Sequence, residues 1–162
     1  MLYWYLVFFS FLILSGCDNT VSTTESMNIA VYDELGILPK LISLPKQPLS
    51  VKWQVDESAE RGTGSLRALL EFSASDKAYI LENSPQFDSI SNDRISAEFY
   101  DTWLPDRAKN GIKKQAVDNM YELSGIEALK ADLFTKADLS PYVNGSVTPL
   151  SGGYILVSLY AL

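Results

Sequence analysis

The segment Tyr154–Leu162 (YILVSLYAL) constrains the fold more than any other part of the sequence. Apolar side chains occupy both its odd and its even positions, so a strand formed here is apolar on both faces. This is the profile of a central strand in a sheet. The preceding Ser151-Gly152-Gly153 is typical of a turn. We therefore predict a turn and then a central strand, in a chain whose 162 residues suffice for one ordinary domain.

Alternating apolar and polar residues predict further strands. Residues 51–56 alternate in this way and place Trp53 in the core. Residues 66–72 form the second predicted strand, antiparallel to the first, and residues 95–100 form a third. Asn144-Gly145, between Tyr142-Val143 and Ser146-Val147, is a strong signal for a two-residue hairpin turn.

Two segments show helical signals. Ser75-Asp76 is typical of a helix start and predicts a short helix that stops before Pro85. Apolar residues recur every three or four positions over residues 112–130, which predicts a longer helix. Strands near both ends with helices between them indicate an α+β fold, an antiparallel sheet with one or two helices packed on one face.

Three prolines (Pro39, Pro45 and Pro48) lie within ten residues. This density favours extended conformation and argues against a helix. The functional interpretation is a proline-ligand site, and the simpler one is an extended lead-in to the first strand. We favour the lead-in.

Composition excludes several classes of function. Lys and Arg total 13 against 20 for Asp and Glu, a net charge of −7, which argues against a nucleic-acid partner. The absence of histidine removes Ser-His-Asp and Cys-His catalysis and histidine-ligated zinc. The single cysteine permits no internal disulfide. We predict no catalytic residue, no metal site and no cofactor.

The amino-terminal segment is apolar and uncharged. No charged side chain occurs before Asp18, and Ser10 is the only polar residue in Leu2–Leu14. Thirteen residues of helix extend about 20 Å, which is short of the roughly 30 Å bilayer core. The segment therefore fits the apolar region of a secretory signal better than a membrane span.

The four residues Leu14-Ser15-Gly16-Cys17 resemble the lipobox of bacterial lipoprotein signal peptides. The resemblance implies that the Cys17 thiol carries diacylglycerol, that cleavage occurs before Cys17, and that its new amino group is acylated, as by palmitate. It also implies that Leu14, Ser15 and Gly16 are recognised by the peptidase. The usual Lys or Arg near the start is absent, and an uncleaved apolar anchor or a core segment is the alternative.

The same resemblance divides the chain. Residues 1–16 are the predicted signal peptide, 17–28 the lipidated cysteine with a polar flexible tether, and 29–162 a single α+β domain. In lipoproteins of enterobacteria, an aspartate directly after the lipidated cysteine is a signal for retention at the inner membrane. Asp18 resembles this signal and therefore favours the inner membrane.

We expect a protein lipid-anchored in the bacterial cell envelope that faces the periplasm or the exterior. Its domain is predicted to bind another envelope protein, and its acidic composition favours a basic partner. One alternative is a carboxylate-based cell-wall hydrolase or accessory enzyme, with Glu57 and Glu60 or Glu98 and Asp101 as candidate pairs. The other is a small-ligand carrier, which requires an apolar pocket of a few hundred cubic ångströms.

One group of residues is a candidate binding surface. Arg107, Lys109, Lys113 and Lys114 are the only basic cluster, suited to anionic headgroups or cell-wall phosphates. The competing interpretation is the solvated face of the following helix. Trp103, beside Pro105, is the tryptophan predicted to be exposed and to serve as a binding platform.

Overall fold

Strands dominate the structure, and short helices connect them. The computed structural model describes residues 30–56, 64–117, 120–137 and 140–161. In chain order the elements are β1 (Val31–Tyr32), α1 (Leu38–Leu41), β2 (Ser50–Asp56), β3 (Ser65–Glu71), α2 (Ala74–Glu82), β4 (Arg94–Ser96), α3 (Ala97–Thr102), α4 (Asp106–Lys109), β5 (Lys113–Val117), β6 (Met120–Ser124), β7 (Leu129–Lys130), β8 (Tyr142–Pro149) and β9 (Tyr154–Ala161). None of the helices in these ranges is long and apolar enough to cross a membrane.

The main sheet has six antiparallel strands in the order β1-β2-β3-β9-β8-β7. The strand β9 pairs with β3 on one side and with β8 on the other, which confirms it as a central strand. The predicted antiparallel pairing of the first two long strands is also confirmed, since β2 pairs with β3 along its whole length.

One face of the main sheet carries the larger core. Leu66, Ala68 and Leu70 alternate onto this face, as do Ile155, Val157 and Leu159 of β9. The helices α1 and α2 cover them with Leu38 and Ile80, both fully buried. Trp53 is 1% exposed, which confirms its predicted core position.

The opposite face carries a second core, which lies against a three-stranded sheet ordered β4-β6-β5. Leu69 and Leu156 point to this side, where they pack with Phe99 of α3 and Leu123 of β6. The α+β class with an antiparallel sheet is confirmed. Beyond the predicted layer on one face, the structure adds this second layer, and it explains why β9 is apolar on both sides.

The predicted helix near residue 75 is present as α2. Its N-cap is Ser73 rather than Ser75, because the Ser73 hydroxyl accepts a hydrogen bond from the Asp76 amide at 3.1 Å. The expectation that the proline-rich segment contains no helix is wrong, because α1 includes Pro39. Pro39 lies in the first turn of α1, where its missing N–H has no helical partner to lose.

The predicted strand over residues 95–100 is wrong beyond Ser96. The Ser96 hydroxyl accepts a hydrogen bond from the Phe99 amide at 3.1 Å and caps α3. The chain therefore turns from strand to helix at this serine. The helix buries Phe99 and Tyr100 in the second core.

The predicted helix over residues 112–130 is also wrong. The strands β5 and β6 pair as an antiparallel hairpin, and β7 joins the main sheet. Apolar spacing of three or four residues fits either structure when apolar residues are this sparse. Packing decides, since β6 buries Leu123 in the second core while four residues of β5 are exposed.

No hairpin turn occurs at Asn144-Gly145, which lies inside β8. The chain reverses instead at Ser151-Gly152-Gly153, as predicted for that segment. Gly145 is needed for a different reason. A Cβ at this position would lie only 2.9 Å from the Leu159 Cα and would clash with the Ser158 carbonyl oxygen.

Candidate functional site

A buried carboxylate, Asp93, lies against the face of the main sheet that carries the second core. It lies beside three hydroxyl side chains of that face. The residue immediately precedes β4 and is 6% exposed. Its Oδ2 accepts hydrogen bonds from the hydroxyls of Ser146 at 3.3 Å, Thr148 at 3.1 Å and Ser158 at 3.0 Å. Its Oδ1 accepts one hydrogen bond from the Arg94 amide at 3.0 Å.

The strand pattern brings the three hydroxyls together. Ser146 and Thr148 are two residues apart on β8, so their side chains leave the same face. Ser158 of β9 lies directly opposite Ser146 in the antiparallel register. Thr148 and Ser158 are fully buried, and a buried hydroxyl is costly without a hydrogen-bond partner. Asp93 supplies that partner from a distant part of the chain.

A cavity of about 500 Å³ opens beside this carboxylate. This volume lies within the range of small-molecule sites in proteins. The lining combines charged, polar and aromatic groups, among them Phe87, Asn92, Asp93, Arg94, Lys130 and Tyr160. The cavity can therefore hold a ligand that is partly apolar and carries a charge.

The charged groups of the cavity differ in how they are neutralised. Arg94 Nη2 lies 3.5 Å from Glu122 Oε2, and Lys130 Nζ lies 3.9 Å from Asp88 Oδ1. Over the described ranges, Asp93 has no salt bridge, and neither has Asp132, the exposed acid of the lining. The lining therefore holds two acids and two bases, and among them only the acids lack an ion-pair partner.

The arrangement around Asp93 is suited to binding and does not activate any of the three hydroxyls as a nucleophile. All three hydroxyls donate to the same carboxylate oxygen, so none is singled out by a separate base. In the part of the chain that the structure describes, no three acidic or cysteine side chains gather where they could hold a metal ion. Asp93 can accept a hydrogen bond from a donor on a ligand.

The predicted exposure of Trp103 is wrong. The residue is 9% exposed and packs in the second core, with its ring 4.5 Å from that of Phe99. The reason is the helix α3, which ends at Thr102 and turns Trp103, the residue that follows, into the core. Lys52 Nζ lies 5.2 Å from the Trp103 ring and covers one side of it.

The four basic residues of the predicted surface lie on two elements. Arg107 of α4 pairs with Glu71 at 3.0 Å and donates a hydrogen bond to the Tyr154 hydroxyl. Lys109 lies 3.8 Å from Asp106. Lys113 and Lys114 are exposed on β5, not on a helix face.

The structure brings two of these lysines together over one ring. The Nζ of Lys109 lies 5.2 Å from the Tyr100 ring centre, and that of Lys114 lies 4.6 Å from it. Lys114 also lies 4.5 Å from the Tyr121 ring. The basic cluster is therefore divided, with Arg107 bound to an acid elsewhere.

Other residues singled out in the sequence lie away from the cavity. Residues 14–18, with Cys17 and Asp18, are outside the described ranges, as are Glu57 and Glu60. Glu98 and Asp101 are exposed on α3 and do not line the cavity.

Sequence reasoning missed Asp93. One signal was visible, because Ser158 interrupts an otherwise apolar central strand and needs a polar partner. The identity of that partner was not visible, since 65 residues separate Asp93 from Ser158.

A second cavity of about 550 Å³ is lined by Phe72, Lys77, Leu81 and Gly153. Lys77 Nζ donates a hydrogen bond to the Leu150 carbonyl oxygen. Burial lowers the pKa of Lys77 from its ordinary value, because desolvation disfavours the ammonium form.

The lowered pKa of Lys77 predicts how stability depends on pH. Between the folded-state pKa and the unfolded value of about 10.4, the folded chain binds fewer protons than the unfolded chain. The cost of burying the ammonium is present in full below that window and is relieved as the pH rises through it. Urea unfolding at pH 7 and pH 10 should show the wild type gaining stability relative to Lys77→Met. A constant difference between the two proteins, or one that moves the other way, would contradict this assignment.

No protein-family model matches the sequence, and comparison with the curated proteins and with the solved structures gives no match. The chemistry of the site therefore rests on the geometry described above.

Proposed function

We propose that the protein is a bacterial envelope lipoprotein, anchored through Cys17, whose domain binds a basic envelope protein at the cavity beside Asp93. The lipobox-like Leu14-Ser15-Gly16-Cys17 supports the anchor. The net charge of −7 supports a basic partner, because opposite charges speed association and exclude wrong partners.

The observation that carries the proposal is a buried carboxylate that borders an open cavity and has no salt bridge to any residue in the described ranges. Removing a carboxylate from water costs several kcal/mol unless other groups compensate. Three hydroxyls and an amide compensate Asp93 by hydrogen bonds, and its carboxylate still borders the cavity. A fold that needed only stability would be served as well by apolar residues at these positions. The retained charge is explained by recognition.

A small-ligand carrier is the second candidate, and the cavity volume of about 500 Å³ favours it. The lining departs from the apolar pocket expected for such a carrier, since it includes Asp93, Arg94 and Lys130. A carboxylate hydrolase finds less support, because the hydroxyls around Asp93 already occupy one of its oxygens.

Crosslinking in living cells tests the binding site. A photoreactive residue replaces Val143, which lines the cavity and is 54% exposed, and the matched control replaces Leu49, which is 70% exposed and lies outside the cavity lining. We expect one basic protein joined to position 143, absent at position 49, and lost when Asp93→Asn is added. Capture that is equal at both positions, or unaffected by Asp93→Asn, would reject the site.

The anchor has its own test. Cys17→Ala should abolish labelling with radioactive palmitate, because the thiol that takes the lipid is gone. Ser22→Ala, five residues further along the predicted tether, should leave the labelling unchanged. A wild-type protein that takes up no palmitate and still begins at Met1 would show that the apolar segment 2–14 is an uncleaved anchor.

A further inference from the structure

We infer that the cavity beside Asp93 takes a primary ammonium group, as on a lysine side chain of the basic partner, in preference to a guanidinium. The inference rests on the proposed function for the source of the ammonium. The choice between the two cations rests on the hydrogen bonds of Asp93 alone.

The ionic surroundings favour a cationic ligand. The two bases that line the cavity, Arg94 and Lys130, each have a carboxylate partner, Glu122 and Asp88. Neither partner carboxylate lines the cavity, whereas Asp93 and the exposed Asp132, which have no salt bridge among the described residues, do. An anionic ligand in this cavity would lie against the carboxylate of Asp93, whereas a cationic ligand can bind it.

A neighbouring arginine on the same sheet face does not neutralise Asp93. Arg67 lies opposite Ser158 in the register of β3 and β9. Its Nη2 donates to the Arg94 carbonyl oxygen at 3.3 Å, and its guanidinium lies 5.6 Å from the Phe99 ring. Arg67 does not line the cavity, so a ligand cation meets the carboxylate without competition from it.

The acceptor capacity of the carboxylate decides between the two cations. A carboxylate offers about four acceptor positions over its two oxygens. Three hydroxyls use Oδ2, whereas one amide uses Oδ1. The remaining acceptor capacity of Asp93, the buried carboxylate of the lining, is therefore on its Oδ1 alone. A guanidinium binds best as a fork to both oxygens, and an ammonium needs only one.

The rest of the lining suits an alkyl ammonium. Phe87 and Tyr160 supply aromatic surface against which the methylene groups of a lysine side chain can pack. An aromatic ring face also attracts a cation directly. The cavity volume of about 500 Å³ leaves room for backbone beside the inserted side chain.

Binding of small probes to the full-length protein in detergent micelles tests the inference. The probes are the Nα-acetyl N-methylamides of lysine, arginine and glutamate. Their binding is measured from NMR chemical-shift changes during titration. We expect the lysine probe to bind about tenfold more tightly than the arginine probe, and Asp93→Asn to weaken it by about tenfold or more. Equal or tighter binding of the arginine or glutamate probe would overturn the inference.

A second variant tests the acceptor argument in a protein that keeps the charge. Ser146 lines the cavity and donates the longest of the three hydroxyl hydrogen bonds to Oδ2. Ser146→Ala frees one acceptor position on Oδ2 beside the cavity. The affinity of the arginine probe should therefore rise until it is about equal to that of the lysine probe. An unchanged preference would contradict the saturation of Oδ2 as its cause.

The probe and crosslinking results separate the two proposals. Binding of the lysine probe with no protein captured at position 143 supports the ammonium site and overturns the protein partner. Capture of a basic protein without discrimination between the lysine and arginine probes supports the partner and overturns the ammonium preference.

Discussion

Asp93→Ala is expected to lower the free energy of unfolding by about 3 kcal/mol or more. The substitution removes the acceptor of the Thr148 and Ser158 hydroxyls, which are fully buried, and each buried group left without a partner costs about 1–3 kcal/mol. Ser146 borders the cavity and can turn to water, so its loss contributes less. Urea unfolding followed by circular dichroism measures the change.

Two control variants make the Asp93 result specific. Asp93→Asn keeps an acceptor oxygen in place, so it should cost less than half as much as the alanine variant. Asp132→Ala removes an exposed acid from the same cavity and should fall within about 0.5 kcal/mol of the wild type. If Asp93→Ala were as stable as the wild type, the hydroxyls would not depend on this carboxylate.

Gly145→Ala is expected to destabilise the protein by about 3 kcal/mol through a steric clash inside the main sheet. The new Cβ would lie 2.9 Å from the Leu159 Cα and would overlap the Ser158 carbonyl oxygen. These are backbone atoms of the central strand β9, so they cannot move aside as a flexible side chain can. The strands β8 and β9 would have to separate, which also displaces Ser158 from Asp93.

Gly111→Ala is the matched control for the glycine substitution. Gly111 has a φ of +81°, and a Cβ added there would meet no atom within 4 Å, so alanine costs only backbone strain, about 1 kcal/mol. Thermal unfolding should show a much lower melting temperature for Gly145→Ala than for Gly111→Ala. The same loss in both would mean that the close approach to β9 is not what requires glycine at position 145.

The central part of the fold could be predicted from local patterns. The segment 154–161 is apolar on both sides, and this pattern is seen only where both faces are covered, as both cores of the structure confirm. The alternation in residues 51–56 and 66–72 likewise placed two neighbouring strands correctly. Leu69 breaks the alternation of residues 66–72, because it is buried in the second core on the opposite face.

The wrong predictions concern segments whose sequence pattern fits two different structures. Apolar spacing in residues 112–130 fits a helix, but packing of Leu123 into the second core selects a hairpin. Asn144-Gly145 is a strong turn signal, yet the glycine is needed for a close approach between strands. Such choices depend on partners distant in sequence, which local propensity does not contain.

The candidate site was hidden for the same reason. Its members come from β8, β9 and the segment before β4, and 53 to 65 residues separate Asp93 from the three hydroxyls. The basic cluster from Arg107 to Lys114 was conspicuous because its members are adjacent in sequence. In the structure two of its members are bound to acids.

The affinity of the crosslinked partner for the full-length protein, measured against salt concentration with and without Asp93→Asn, tests the central claim most directly. If the charge of Asp93 carries recognition, wild-type binding weakens steeply as salt rises, and Asp93→Asn both weakens binding and flattens that dependence. An affinity that does not change with salt concentration, or that is the same for Asp93→Asn as for the wild type, would contradict the account.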